Sequence, residues 1–166
     1  MSVQPIIAIL EKLEKMHKSL LELAYKKTEL VKKGDMEELD HMLKNEQSHV
    51  AAIETLEQQR QQLVRDYLIA KGFALADQPT VAEVIEAADS DEERNQLADV
   101  RKRLMLVIDD LRKQNELNQK LVFQSLQFVN MTLDMLRPRP EQINYSGKDL
   151  QGKNVAQKKT FFDSQA

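Results

Sequence analysis

The segment that comes nearest to a chemical motif lies close to the C-terminus. It reads Gly147-Lys-Asp-Leu-Gln-Gly152-Lys153 and matches the first seven positions of a Walker A phosphate-binding loop. The eighth position is Asn154, where serine or threonine would bind magnesium, and the segment is neither preceded by a strand pattern nor followed by an apolar helix pattern. Because that strand-loop-helix frame holds the N–H groups around a phosphate, we do not expect a nucleotide site here.

The other residues that could support catalysis are scattered along the chain. His17, His41 and His49 form no i,i+4 pair with one another and have no nearby cluster of metal ligands, so we expect them to be surface or partly buried helix residues. The absence of cysteine excludes disulfides, thiolate nucleophiles and zinc bound through cysteine. Carboxylates mix with lysine and arginine as on a solvated face, and no pair stands apart as a general acid and base. The sequence therefore predicts neither an enzyme nor a cofactor.

The elements that would position any site are long helices. Of 166 residues, 42% are hydrophobic, 31% are charged and only 5% are aromatic, with four glycines and four prolines, a composition typical of long helices. No run approaches the roughly 20 consecutive apolar residues of a transmembrane helix. The N-terminus also lacks a basic region followed by a long apolar run. We therefore expect a cytoplasmic protein that does not insert into a membrane.

The apolar periodicity predicts an all-α protein: an antiparallel bundle of three long helices, with one short helix between the second and the third. The long helices should span about residues 5–33, 36–71 and 91–136, and the short helix about residues 80–88. A tight turn at Gly34-Asp35 would make the first two antiparallel neighbours. Gly72, with Phe73 folding back on Leu68, would end the second in a Schellman-type cap.

The third long helix carries the face on which the other helices should pack. A second line of apolar residues widens this face in the last third of the helix, beyond what one neighbouring helix covers. Gln114 and Asn118 fall where leucine is expected, and such residues are either satisfied within the bundle or left for a partner. The main apolar line is Leu97, Val100, Leu104, Val107, Leu111, Leu121, Phe128 and Met135, and the second line is Ile108, Val122, Val129, Leu133 and Leu136.

Residues 137–166 have no helical period, and we expect a flexible tail after a helical bundle of residues 1–136. Six basic and three acidic residues make the tail mildly basic at +3, which leaves −6 on the bundle from a total of −3. Scattered charges form a weaker footprint than a clustered basic stripe, so we expect no nucleic-acid partner. Tyr145, Phe161 and Phe162 are candidate anchors if the tail folds on binding.

Several short motifs, taken in their order along the chain, resemble the FlgN family of flagellar export chaperones. The resemblance covers nearly the whole chain, and the closing Phe162-Asp163-Ser164 is similar to tails of Gram-positive members. The supporting motifs are Leu56-Glu-Gln-Gln-Arg60, Leu111-Arg-Lys-Gln-Asn115-Glu-Leu-Asn118-Gln-Lys-Leu121-Val122, Leu136-Arg137-Pro138 and Tyr145-Ser-Gly147.

The resemblance implies a bundle whose long C-terminal helix and tail bind the C-terminal segments of the hook-filament junction proteins FlgK and FlgL. Such a chaperone prevents premature association of its clients and delivers them to the export gate. A tail tyrosine in the family is implicated in contact with the export-gate protein FlhA, and Tyr145 is the matching position here.

The wide apolar face agrees with this implied role, because a client's amphipathic terminal helix could complete the bundle there. Asn115 and Asn118 would supply directional hydrogen bonds, and the apolar rows would supply the affinity. Leu121 and Phe128 lie on the main seam, where ordinary core residues are expected, so Leu117, Leu126 and Val129 are the better candidates for client contact. The alternative is a structural coiled-coil protein that buries the same face by self-association, whereas a chaperone would be a monomer or a weak homo-oligomer. The predicted client contacts are Asn115, Leu117, Asn118, Leu121, Val122, Leu126 and Val129.

Overall fold

The computed structural model describes residues 1–137, in which all regular secondary structure is helical. The helices are α1 (Gln4–Lys33), α2 (Met36–Ala70), α3 (Val81–Ala87) and α4 (Asp91–Leu136). The predicted helical class is confirmed, and every predicted helix end lies within one residue of the observed end. The predictions for residues 138–166, including the Walker-like segment and Tyr145, lie outside the described residues.

The chain divides into two units, residues 1–127 and residues 128–166. The first contains α1, α2, α3 and most of α4, and the second begins within the last turns of α4. The predicted division into a bundle of residues 1–136 and a tail of residues 137–166 stays a prediction.

Two glycines with positive φ end the first two helices. Gly34 has φ 70°, and the N–H of Asp35 donates to the Leu30 carbonyl at 3.2 Å. Gly72 has φ 77°, and the N–H of Phe73 donates to the Leu68 carbonyl at 3.0 Å. Both are the 6→1 bond of a Schellman cap, which confirms the predicted helix ends.

Side-chain caps start the later helices. Asp35 Oδ1 accepts from the Glu38 N–H at 3.1 Å at the start of α2. Thr80 and Glu83 form a complete capping box before α3. Ser90 Oγ accepts from the Glu93 N–H at 3.2 Å before α4, while the Glu93 carboxylate accepts from the Asp89 N–H at 3.2 Å rather than from Ser90. The last cap is therefore a variant of the capping box.

The main core of residues 1–127 lies where the first half of α1, the second half of α2, α3 and the first half of α4 meet. The first five residues of the predicted main line on α4 are buried, as expected: Leu97, Val100, Leu104, Val107 and Leu111. A smaller cluster of Leu20, Leu23, Ala24 and Leu111 continues the α1–α4 contact.

Asn118 is the last residue of α4 to be buried, with 2% of its surface exposed. Its Nδ2 donates to the Ala24 carbonyl at 2.8 Å, and its Oδ1 lies 2.5 Å from the Thr28 hydroxyl. Gln114 Nε2 donates to the same hydroxyl oxygen at 2.6 Å. The two polar residues in the apolar line of α4 are therefore satisfied within the bundle by α1.

The main line of α4 is not core along its whole length. Phe128 is 66% exposed and Met135 is 77% exposed, so the expectation that Phe128 could be an ordinary core residue is wrong. The two helices also differ in length, since α4 has 46 residues and α1 has 30. At 1.5 Å per residue the difference is about 24 Å, so the turns of α4 outnumber those of α1.

Candidate functional site

A groove of about 600 Å³ lies between α2 and α4 within residues 1–127. Most of its lining surface is apolar, and polar side chains from all three helices complete it. The lining residues are Lys27 of α1, Leu39, Leu43 and Glu46 of α2, and Asn115, Asn118, Gln119, Val122, Phe123 and Leu126 of α4.

The groove exists because the first half of α2 packs less completely than the second half. All the fully buried residues of α2 lie between Val64 and Leu68, whereas Leu43 is 39% exposed. On the facing helix, Phe123 is 61% exposed and Leu126 is 56% exposed. These side chains remain in contact with water although their residue types favour burial. Apolar surface of this kind, rimmed by polar groups, typically marks an interaction site.

An ion pair between α1 and α2 forms one side of the groove. Lys27 Nζ lies 3.3 Å from Glu46 Oε2, and both side chains are largely buried, at 22% and 18% exposure. Asn115 is half-buried on α4, and Asn118 lies at the floor. The groove thus combines apolar walls with a small number of fixed polar groups, as binding clefts in proteins commonly do.

The structure brings four of the predicted client contacts together and leaves three outside the groove. Asn115, Asn118, Val122 and Leu126 line it. Of the remaining three, which are not among the lining residues, Leu117 is 46% exposed, Leu121 is half-buried, and Val129, in the unit that begins at residue 128, is 50% exposed.

Asn118 does not offer its side chain for directional hydrogen bonds to a partner. Its amide and carbonyl groups are engaged by Ala24 and Thr28 of α1, and the side chain is buried. The prediction placed it at the partner surface because the sequence shows only a polar residue on an apolar face. Which helix faces that residue is decided by the packing of the bundle.

Six lining residues were not predicted from the sequence: Lys27, Leu39, Leu43, Glu46, Gln119 and Phe123. A signal for part of this set was present on α4. Asn115, Gln119, Val122 and Leu126 follow the i, i+4, i+7, i+11 spacing of one helix stripe, beside the main apolar line. The α2 residues could not be assigned in this way, because their apolar period is the same whether they are core or groove wall.

Several titratable groups outside the groove make contacts within the bundle. His17 Nδ1 lies 2.7 Å from the Leu13 carbonyl and His49 Nε2 lies 2.9 Å from Ser19 Oγ, as expected of partly buried helix residues. Burial raises the pKa of Tyr67, and a hydrogen bond from Lys71 lowers the pKa of Asp89. Among residues 1–137, no group of three or more His, Asp or Glu side chains is placed to hold a metal ion.

No helix within residues 1–137 is both long and apolar enough to cross a membrane. Comparison with known proteins identifies the family of the chain. The profile of the FlgN protein family matches residues 1–151. The chain is 33% identical over 166 residues to a protein of Bacillus subtilis (strain 168) named "Uncharacterized protein YvyG", and the match covers the full length of both. No solved structure matches the chain. Since the family profile covers most of the sequence, the chain belongs to the FlgN family, which is a family of flagellar export chaperones and not of enzymes.

Proposed function

We propose that this protein is a cytoplasmic chaperone of flagellar type III export whose clients are the hook-filament junction proteins FlgK and FlgL. It binds their C-terminal helical segments, prevents their premature association and delivers them to the export gate. The observation that carries this proposal is the open apolar groove between α2 and α4 in a member of a chaperone family.

An amphipathic client helix suits the chemistry of the groove. Its apolar side chains, spaced at i, i+3 or i+4, and i+7, would pack between Leu39 and Leu43 on one wall and Val122, Phe123 and Leu126 on the other. The driving force is removal of these exposed side chains from water, at about 25 cal/mol for each Å² buried. A client helix would thus complete the partly open half of the bundle.

Polar groups of the groove would orient the client helix. Asn115 and Gln119 lie on the α4 side and can donate and accept hydrogen bonds, whereas the amide of Asn118 is already engaged. Leu117, Leu121 and Val129 remain proposed client contacts on the basis of the sequence. Tyr145 remains the proposed contact with FlhA on the family resemblance alone.

The most direct test compares substitutions of two leucines of α4. Leu126 lines the groove and is 56% exposed, whereas Leu106 is 57% exposed and does not line it. We expect Leu126→Asp to weaken binding of FlgK or FlgL of the same organism at least tenfold, because burying one leucine contributes about 1.5–3 kcal/mol and a carboxylate resists burial. Leu106→Asp, with the same change of charge, should bind like the unmodified protein. Isothermal titration calorimetry measures both affinities.

The oligomeric state distinguishes this proposal from the self-associating alternative. Size-exclusion chromatography with light scattering should show a monomer or small oligomer that shifts to a stoichiometric complex with FlgK or FlgL. The proposal would be contradicted by a tight homo-oligomer that binds neither FlgK nor FlgL and dissociates when Leu126 is replaced by aspartate. In that case the groove would be the contact between copies of the chain.

A further inference from the structure

A second cleft, of about 640 Å³, lies farther along the α2–α4 interface within residues 1–127. Its apolar part comes from Leu10 of α1 and from Leu104, Met105 and Ile108 of α4. The segment between α2 and α3 closes one end through residues 77–80. None of its lining residues lines the groove described above, so it is a separate site.

Arginines stand on both walls of this cleft. Arg60 and Arg65 come from α2, and Arg101 comes from α4. Arg60 is held by the carboxylate of Glu57, which also lines the cleft. Arg65 and Arg101 are exposed and form no ion pair or side-chain hydrogen bond within residues 1–137. The same holds for Arg112, which lies outside the cleft, whereas Arg94, Arg103 and Arg137 pair with carboxylates. With Asp77 counted, the charged side chains of the cleft sum to +1, on a bundle whose total charge is −6.

We propose that this cleft binds an acidic peptide segment of a partner protein, with carboxylates on Arg65 and Arg101 and an apolar side chain between them on Met105 and Ile108. The planar guanidinium group matches a carboxylate and binds it through two parallel hydrogen bonds. Met105 is 54% exposed and Ile108 is half-buried, so both offer apolar surface that such a side chain could cover.

A peptide fits these features better than a nucleic acid does. The negative charge of the bundle opposes a polyanion, whereas a short segment with two or three carboxylates meets a local positive surface. The apolar floor also rewards an aliphatic side chain, which a phosphate backbone lacks. The site is separate from the proposed client groove, because none of its lining residues lines that groove.

The test uses the full-length protein labelled with ¹⁵N and the synthetic peptide acetyl-Asp-Leu-Glu-Asp-Leu-Glu-amide. A control peptide carries asparagine and glutamine in place of the acids. We expect saturable chemical-shift changes around Arg65 and Arg101 with the acidic peptide, and binding at least tenfold weaker with the control. Each exposed arginine–carboxylate contact contributes roughly a three- to fivefold change in affinity, so Arg65→Gln with Arg101→Gln should weaken binding about tenfold.

Arg112→Gln is the matched control, because Arg112 is also on α4, is exposed and does not line the cleft. It should alter the affinity less than twofold, whereas Asp77→Asn should strengthen binding by removing a negative charge from the cleft. The proposal is overturned if the peptide shows no saturable binding, if its shift changes map to the α2–α4 groove, or if Arg112→Gln weakens binding as much as the double variant. Since neither FlgK nor FlgL enters the experiment, its failure leaves the proposed client site untouched.

Discussion

Replacing Asn118 by leucine should destabilise the bundle, although leucine is the residue type that this position of the helix seam would ordinarily carry. The Asn118 amide donates to the Ala24 carbonyl at 2.8 Å, and its carbonyl oxygen lies 2.5 Å from the Thr28 hydroxyl. Leucine can make neither contact. The substitution thus removes two of the hydrogen bonds between α1 and α4 at the last buried turn of α4 and leaves the one from Gln114 to Thr28.

The size of the effect follows from these contacts. Each lost hydrogen bond contributes about 1 kcal/mol net. The Thr28 hydroxyl and the Ala24 carbonyl keep the 3.0 Å hydrogen bond that joins them, and burial of the leucine side chain offsets part of the loss. We therefore expect Asn118→Leu to lower the free energy of unfolding by about 1–2 kcal/mol. In a Thr28→Val background, where the hydroxyl is already absent, the same change should cost less than about 1 kcal/mol.

Urea denaturation followed by circular dichroism measures the four free energies of this double-mutant cycle. Ser125→Ala is the control on the same helix, because Ser125 Oγ donates to the Leu121 carbonyl at 2.8 Å from an exposed position. Its effect should stay within about 0.5 kcal/mol. A stability that is unchanged or raised by Asn118→Leu, or equal effects in both backgrounds, would refute the assignment of Asn118 to an internal network. Its amide would then be available to a partner, as the sequence suggested.

Two further predictions concern residues elsewhere in the chain. Within residues 1–137 the buried Tyr67 hydroxyl has no hydrogen-bond partner, so Tyr67→Phe should leave stability near pH 7 unchanged or raise it by up to about 1 kcal/mol, and a clear loss would reveal a missed partner. Burial raises the pKa of Tyr67 in the folded protein above its ordinary 10.0, so folding favours the protonated hydroxyl. The resulting stabilisation is fully present below pH 10.0 and is lost as pH rises through the folded-state pKa. Urea unfolding of both proteins across this range should therefore show a steeper alkaline loss with tyrosine. Val129→Asp and Leu117→Asp should weaken the complex with FlgK or FlgL while circular dichroism shows unchanged helix content, since both side chains are about half exposed; loss of folding would favour the self-associating alternative.

The helix ends could be predicted from sequence because capping is a local interaction. Gly34, Gly72, Asp35 and Thr80 each act on backbone groups within a few residues, so their roles do not depend on the tertiary arrangement. The buried part of the α4 seam, from Leu97 to Leu111, was predictable for a related reason. An apolar stripe at helical spacing must be covered by something.

The groove could be predicted only in part, because it forms where the apolar faces of α2 and α4 are not covered by another helix. Val122 follows the same kind of apolar pattern as Leu104, yet it is 37% exposed where Leu104 is 8% exposed. Nothing in the local sequence of α4 separates these residues. Their difference arises from whether turns of α1 and α2 lie opposite, which is a property of the assembled bundle.

The sequence by itself thus determined the helical class, the boundaries of four helices within residues 1–137, the first half of the seam and the family resemblance. Each of these depends on residue type and spacing alone. The tertiary structure decided that Asn118 faces α1, that Leu39 and Leu43 form a wall opposite Phe123, and that Arg65 and Arg101 line one cleft. Those relations join residues more than thirty positions apart in sequence, and only the packing of one helix against another brings them together.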